Sequence, residues 1–231
     1  SSGSTQLDSP VLRLKKYVSP RDEVHRSQPS TFAGVGAGAG ADAADAAGAG
    51  LLQTPSARMM PAGDARFVFS HVSPYTHGNV MLQPLDWLEV GFRYTDVANR
   101  LYGPSIAGGQ SYKDKSIDVK LRLLEESHAL PQVALGVRDL GGTGLFSGEY
   151  LVASKRWGRL DASLGLGWGY LGNRDNLKNP LSRMLGKGFD ARQNDFGNGG
   201  SFATSSWFHG PAALFAGLQY QSPWGLVLKA E

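Results

Sequence analysis

Charged residues fall at alternating positions in three stretches of this chain. Glu89 and Arg93 share one parity in Leu88-Glu89-Val90-Gly91-Phe92-Arg93-Tyr94-Thr95. Asp118, Lys120 and Arg122 alternate with Ile117, Val119, Leu121 and Leu123, and Arg138 ends the run Val133–Arg138. Acids and bases so spaced have two uses. They neutralise one another on one face, or they form a polar lining that meets the polar and charged groups of a ligand. Mutual neutralisation is the simpler use.

Other chemistry finds no pattern. His71, His77, His128 and His209 are widely spaced, without HExxH or another ligand motif, and His25 lies in the N-terminal tail. Ser70-His71 is a bare adjacency and no G-x-S-x-G occurs. Gly141-Gly142-Thr143-Gly144 is not followed by Lys-Ser or Lys-Thr, so it reads as a loop and not as a phosphate cradle. The cluster Gly197–Gly200 also reads as loop. No catalytic residue, cofactor or metal is expected.

The charged residues must be positioned by strands. A strand sends successive side chains to opposite faces. The clearest case is Leu160-Asp161-Ala162-Ser163-Leu164-Gly165-Leu166-Gly167-Trp168-Gly169-Tyr170. It has one apolar face and one polar or bare face. Ordinary strands have about 5–6 residues, whereas a membrane-crossing strand needs about 9–11. Similar runs occupy 65–72, 79–85, 88–95, 117–123, 133–138, 149–156, 214–221 and 226–231, for about nine strands. The faces of Glu149–Arg156 are ambiguous.

Connections alternate in length. Asp86-Trp87, Trp157-Gly158-Arg159 and Pro223-Trp224-Gly225 are tight, and Glu125–Pro131 is only slightly longer. Asp96–Ser116, Asp139–Gly148 and Gly172–Gly210 are long. Outer-membrane barrels alternate in this way, with short periplasmic turns and longer outer loops. Trp87, Trp157 and Trp224 then mark one membrane interface. Tyr94, Trp168 and Tyr170, ending upward strands, mark the other.

Composition sets bounds. The net charge of +3 is scattered without a basic block, which argues against nucleic acid. With no cysteine, this chain has no disulfide, thiolate site or lipid-modified cysteine. No apolar run approaches a transmembrane helix. The start Ser1-Ser2-Gly3 carries no signal region, as in a cleaved precursor or a trimmed chain. Residues 1–50, Ala/Gly-rich from Ala33, read as a disordered tail or linker, and 51–231 as the barrel domain.

Alternation alone also fits a soluble sandwich or barrel. Turning a basic residue such as Lys120 or Arg122 to lipid would cost about 2–4 kcal/mol near the midplane. Glu89, Arg93, Asp118, Lys120, Arg122 and Arg138 are therefore expected to line a lumen. The glycines of Leu160–Tyr170 read as lumen-facing positions of little bulk. An odd ninth strand ending at Glu231 leaves an open edge, so the expected fold is all-β, an antiparallel up-and-down transmembrane barrel truncated at its C-terminus.

Gly50-Leu51-Leu52-Gln53-Thr54-Pro55-Ser56-Ala57-Arg58-Met59, Leu88–Thr95, Gly109–Lys115, Asp118–Ser127 and Gly141–Lys155 together carry a family resemblance. Over about residues 50–231 the chain resembles the N-terminal part of the YjbH family, outer-membrane proteins tied to exopolysaccharide production in Gram-negative bacteria. The resemblance implies a larger parent, a β-barrel in the outer membrane and a role in producing or exporting a polysaccharide. Members are often described as lipoproteins. No catalytic residues carry over.

The resulting expectation is a non-enzymatic outer-membrane barrel that assists exopolysaccharide assembly or secretion. Its partners would be outer-membrane lipid, the glycan and other secretion proteins. A general porin-like channel and a soluble periplasmic β binding protein are the alternatives.

Overall fold

The computed structural model describes residues 54–231, apart from 74, 102–107, 143, 145, 193–203, 225 and the side chains of 70 and 72. The expected tail at 1–50 and the cluster 197–200 therefore lie outside the described residues.

Among the described residues nine strands follow one another: β1 (Ala65–Val72), β2 (Tyr75–Leu85), β3 (Leu88–Leu101), β4 (Ser111–Leu124), β5 (Gln132–Arg138), β6 (Gly148–Trp157), β7 (Leu160–Trp168), β8 (Ala212–Gln221) and β9 (Val227–Ala230). They form one antiparallel meander in chain order. The sheet is not closed, with β1 and β9 as its edges. No helix among the described residues is long and apolar enough to cross a membrane. Among the described residues the one α-helix, α1 (Pro180–Leu185), lies in the β7–β8 connection.

The alternation predicts the strands and their faces. Along β3, Glu89, Gly91, Arg93 and Thr95 are buried while Phe92 and Tyr94 are exposed. Along β4, Asp114, Ser116 and Lys120 are buried. The burial is inverted relative to a water-soluble protein, which keeps charge out and large apolar groups in. Glu89 and Arg93 are 2% and 3% exposed, whereas Phe69 and Leu164 are each 60% exposed.

The ambiguous strand β6 turns Tyr150, Val152 and Ser154 inward. Tyr150 crosses over Gly136 of β5, where an added Cβ would lie 2.1 Å from the ring. Phe215 of β8 lies over Gly165 in the same way, again at 2.1 Å. Gly136 and Gly165 on the buried face are thus seats for neighbouring aromatic rings, whereas Gly167 meets Leu171 and Gly169 meets Arg192. Gly158, at φ +57°, opens the two-residue turn between Trp157 and Leu160, the glycine position of a type II′ hairpin.

Two expectations change. The connection expected at Asp96–Ser116 is shorter, because β3 and β4 continue to Leu101 and from Ser111. In that upper part polar residues stand on both faces, Asp96 and Lys113 on one and Thr95 and Asp114 on the other, so hydropathy does not alternate. The ladder continues nonetheless, and Lys113 binds its cross-strand neighbour Asp96. The second change is that Tyr94 sits within β3 and does not end it.

Candidate functional site

The polar face pairs its charges. Glu89 and Lys120 are direct neighbours across β3 and β4, 2.8 Å apart, with side chains 3% and 7% exposed. Arg93 binds Asp118 of β4, one rung along. Arg122 lies 3.9 Å from Glu125 at the end of β4. Arg138 is buried, with its guanidinium 5.6 Å from the Tyr150 ring centroid. All six expected lining residues thus have a charged or aromatic partner.

The Asp118 carboxylate also accepts the Asp139 N–H at 2.9 Å, where β5 gives way to its loop. Burial and the nearby Asp114 charge raise the Asp139 pKa to about 6, although the Phe146 N–H opposes the shift.

The polar face holds a second layer that the periodicity does not show. Residues 54–63 cross the polar face near the short turns. The Ala57 N–H donates to Ser154 Oγ at 2.9 Å, and Gln132 Nε2 donates to the Ala57 carbonyl at 2.6 Å. Lys120 Nζ donates to the Arg58 carbonyl at 2.7 Å. The Arg58 guanidinium grips Asp161 with two bonds of 2.8 Å and also binds Glu126 and Gln132. Thr54 reaches Glu231, beside β9. Ala57 is fully buried in a small apolar cluster with Ala134, Tyr150, Val152 and Phe215. Met60 packs on Met81 of β2.

Electrostatics fit this arrangement. Burial alone would lower the Arg58 pKa, but Asp161 and Glu126 outweigh it and hold the guanidinium above its ordinary value. Burial would likewise raise the Glu126 pKa. The Arg156 N–H, Arg58 and Lys155 outweigh that and hold the carboxyl below its usual range.

The expected interface aromatics divide. Trp87, Trp157 and Trp224 are 50%, 59% and 89% exposed, all at short turns. Tyr94 faces outward where the outer side of β3 changes from Leu88, Val90 and Phe92 to Asp96. Trp168 is only 4% exposed, because the chain's own β7–β8 connection covers it. Its Nε1–H donates to Asn179 Oδ1 at 3.1 Å, and Phe208 meets its ring edge-on. Tyr170 follows β7 in a short 3-10 turn, edge-on to Phe146. The same connection buries Glu149, which Arg192 holds with two bonds of 2.8 and 2.9 Å.

The described histidines do not converge. His71 bonds Thr76, His77 bonds Thr95, and His209 bonds the Trp207 carbonyl. No group of three or more His, Cys, Asp or Glu among the described residues is arranged to hold a metal.

Sequence reasoning reached the six charged residues but missed Arg58, Gln132, Ser154 and Asp161 as a group. Arg58 stands in a short run with neither helical nor strand period. Its partners lie 68 to 103 residues away in sequence.

The sequence model of the YjbH family, described as "Exopolysaccharide biosynthesis protein YbjH", matches residues 43–231. A protein of Escherichia coli (strain K12), called "Uncharacterized lipoprotein YjbH", is 52% identical over 190 residues. That match covers 81% of this chain but only 27% of the relative. No solved structure matches. The family match spans all the described strands and the segment bearing Arg58, and the chain belongs to the YjbH family, whose description ties it to exopolysaccharide biosynthesis.

Proposed function

We propose that the chain is part of an outer-membrane β-barrel that assists exopolysaccharide assembly or secretion without catalysing a reaction. The observation that carries this reading is the inverted sheet. Its buried face holds Glu89, Lys120, Arg93 and Asp118, while Phe67, Phe69, Phe92, Leu164 and Leu218 point outward and exposed. In water such an apolar surface invites association. In lipid it is the ordinary outer face of a barrel. The exposed tryptophans at the short turns suit a headgroup layer. The family description supplies the link to the polysaccharide.

The lumen-side groups would act by position. Hydroxyl-rich chains need donors and acceptors held in place, and the polar face supplies both. Closure of the barrel requires further pairing at β1 and β9, because an open edge leaves backbone groups unsatisfied in lipid. The layer formed by residues 54–63 across the polar face counts against a wide, permanently open porin.

Fractionation of cells making the full-length protein tests the reading. Recovery with outer membranes after carbonate washing, and a heat-modifiable band on gels, are expected. Recovery in the soluble periplasm would refute it. Loss of secreted polysaccharide on deletion of the gene, restored by the intact copy, tests the link to the glycan.

A further inference from the structure

We propose that residues Ser56–Met60 form a detachable strap that closes the short-turn end of the polar face and must withdraw before a solute or glycan chain passes. The proposal rests on the barrel reading above. Three features point to a strap and not to a fixed part of the sheet.

First, its backbone is held by side chains. Ser154, Gln132 and Lys120, from three different strands, take the Ala57 N–H, the Ala57 carbonyl and the Arg58 carbonyl. Among the described residues, backbone-to-backbone bonding with the sheet begins only at Gly63, whose N–H donates to the Gln83 carbonyl at 2.7 Å. The segment before that point can therefore leave without breaking a strand ladder.

Second, the strap is fastened at its charged side chain. Arg58 bridges Asp161, beside the β6–β7 turn, and Glu126, in the β4–β5 connection. Both carboxylates have other cations at hand: Arg156 for Asp161 and Lys155 for Glu126. Withdrawal of Arg58 thus leaves neither acid unpaired, which lowers the barrier to release.

Third, the strap covers groups that a passing polar chain would use. Ser154, Gln132 and Lys120 lie on the buried face, and their outward capacity is spent on Ala57 and Arg58. The apolar contacts beneath it are small: Ala57 joins the one cluster and Met60 packs on Met81 alone.

The test is conductance of the full-length protein in planar bilayers. Wild type should conduct little, and Arg58→Ala should conduct several-fold more. A second variant, Ala57→Cys with Ser154→Cys, keeps the question open to measurement if Arg58→Ala fails to fold. Its oxidised, cross-linked form should match wild type, and reduction should raise conductance several-fold. Conductance that is unchanged in Arg58→Ala and indifferent to the redox state of the cysteine pair, in protein that keeps its heat-modifiable band, overturns the strap. Release of wild type from membranes by carbonate alone would instead overturn the barrel.

Discussion

Lys120 Nζ lies 2.8 Å from Glu89 and 2.7 Å from the Arg58 carbonyl, so one buried ammonium joins the sheet to the segment that crosses it. Its charge is balanced by Glu89. The pair also fixes register, since Glu89 and Lys120 are direct neighbours across β3 and β4.

Removing one partner should therefore be worse than removing both. Glu89→Ala leaves Lys120 buried beside no acid, and loss of one partner from a buried pair typically costs about 3–5 kcal/mol. Glu89→Leu with Lys120→Met should recover much of that loss. Urea unfolding of the protein folded in detergent micelles checks both. Equal destabilisation by the single and double variants would show that the pair does not act as a unit.

Gly165 is the seat of the Phe215 ring. Gly165→Val should destabilise by about 1–3 kcal/mol through overpacking, since the ring must move away from its cluster. In a Phe215→Leu background the same substitution should cost distinctly less. A double-mutant cycle in urea reads the coupling, and strictly additive effects would rule out this contact as the cause.

How far this architecture is readable from sequence varies along the chain. The alternation in Leu160–Trp168 specifies β7 because its two faces meet different surroundings. The upper parts of β3 and β4 are not readable in that way. Asp96 and Lys113 lie on the face whose lower positions are Phe92 and Ile117, so the periodicity fades while the ladder persists. Trp168 is an aromatic at a strand end in either case. Only the fold of the β7–β8 connection decides that Asn179 and Phe208 cover it. The strap is least readable of all, because its backbone partners Gln132 and Ser154 are brought to Ala57 by the curl of four and five intervening strands and not by local pattern.

The outward face distinguishes lipid from water directly. Leu164 is mid-strand in β7 and 60% exposed. Leu164→Arg should cost about 2–4 kcal/mol if that position faces the bilayer core. On a water-exposed surface the same change is usually within about 0.5 kcal/mol. Equilibrium folding into lipid vesicles of defined composition provides the measurement, and a negligible effect there would contradict the membrane reading.

Asp139 gives the loop between β5 and β6 a pH dependence of known sign. Burial and the Asp114 charge raise its pKa from 3.8 to about 6, so the folded protein holds a proton that the unfolded chain gives up. Stability linked to this residue is fully present below about pH 4 and falls as pH rises through about 6. The loss is on the order of 3 kcal/mol. Asp139→Asn should remove this slope while keeping an acceptor for the Phe146 N–H, and asparagine tolerates the backbone φ of +55° found there. Hydrogen exchange of the Phe146 amide between pH 4 and 7, corrected for intrinsic exchange, reads the local opening. Protection in wild type should fall relative to Asp139→Asn as pH rises through 6. Parallel profiles for the two proteins would show that Asp139 does not hold a proton in the folded loop.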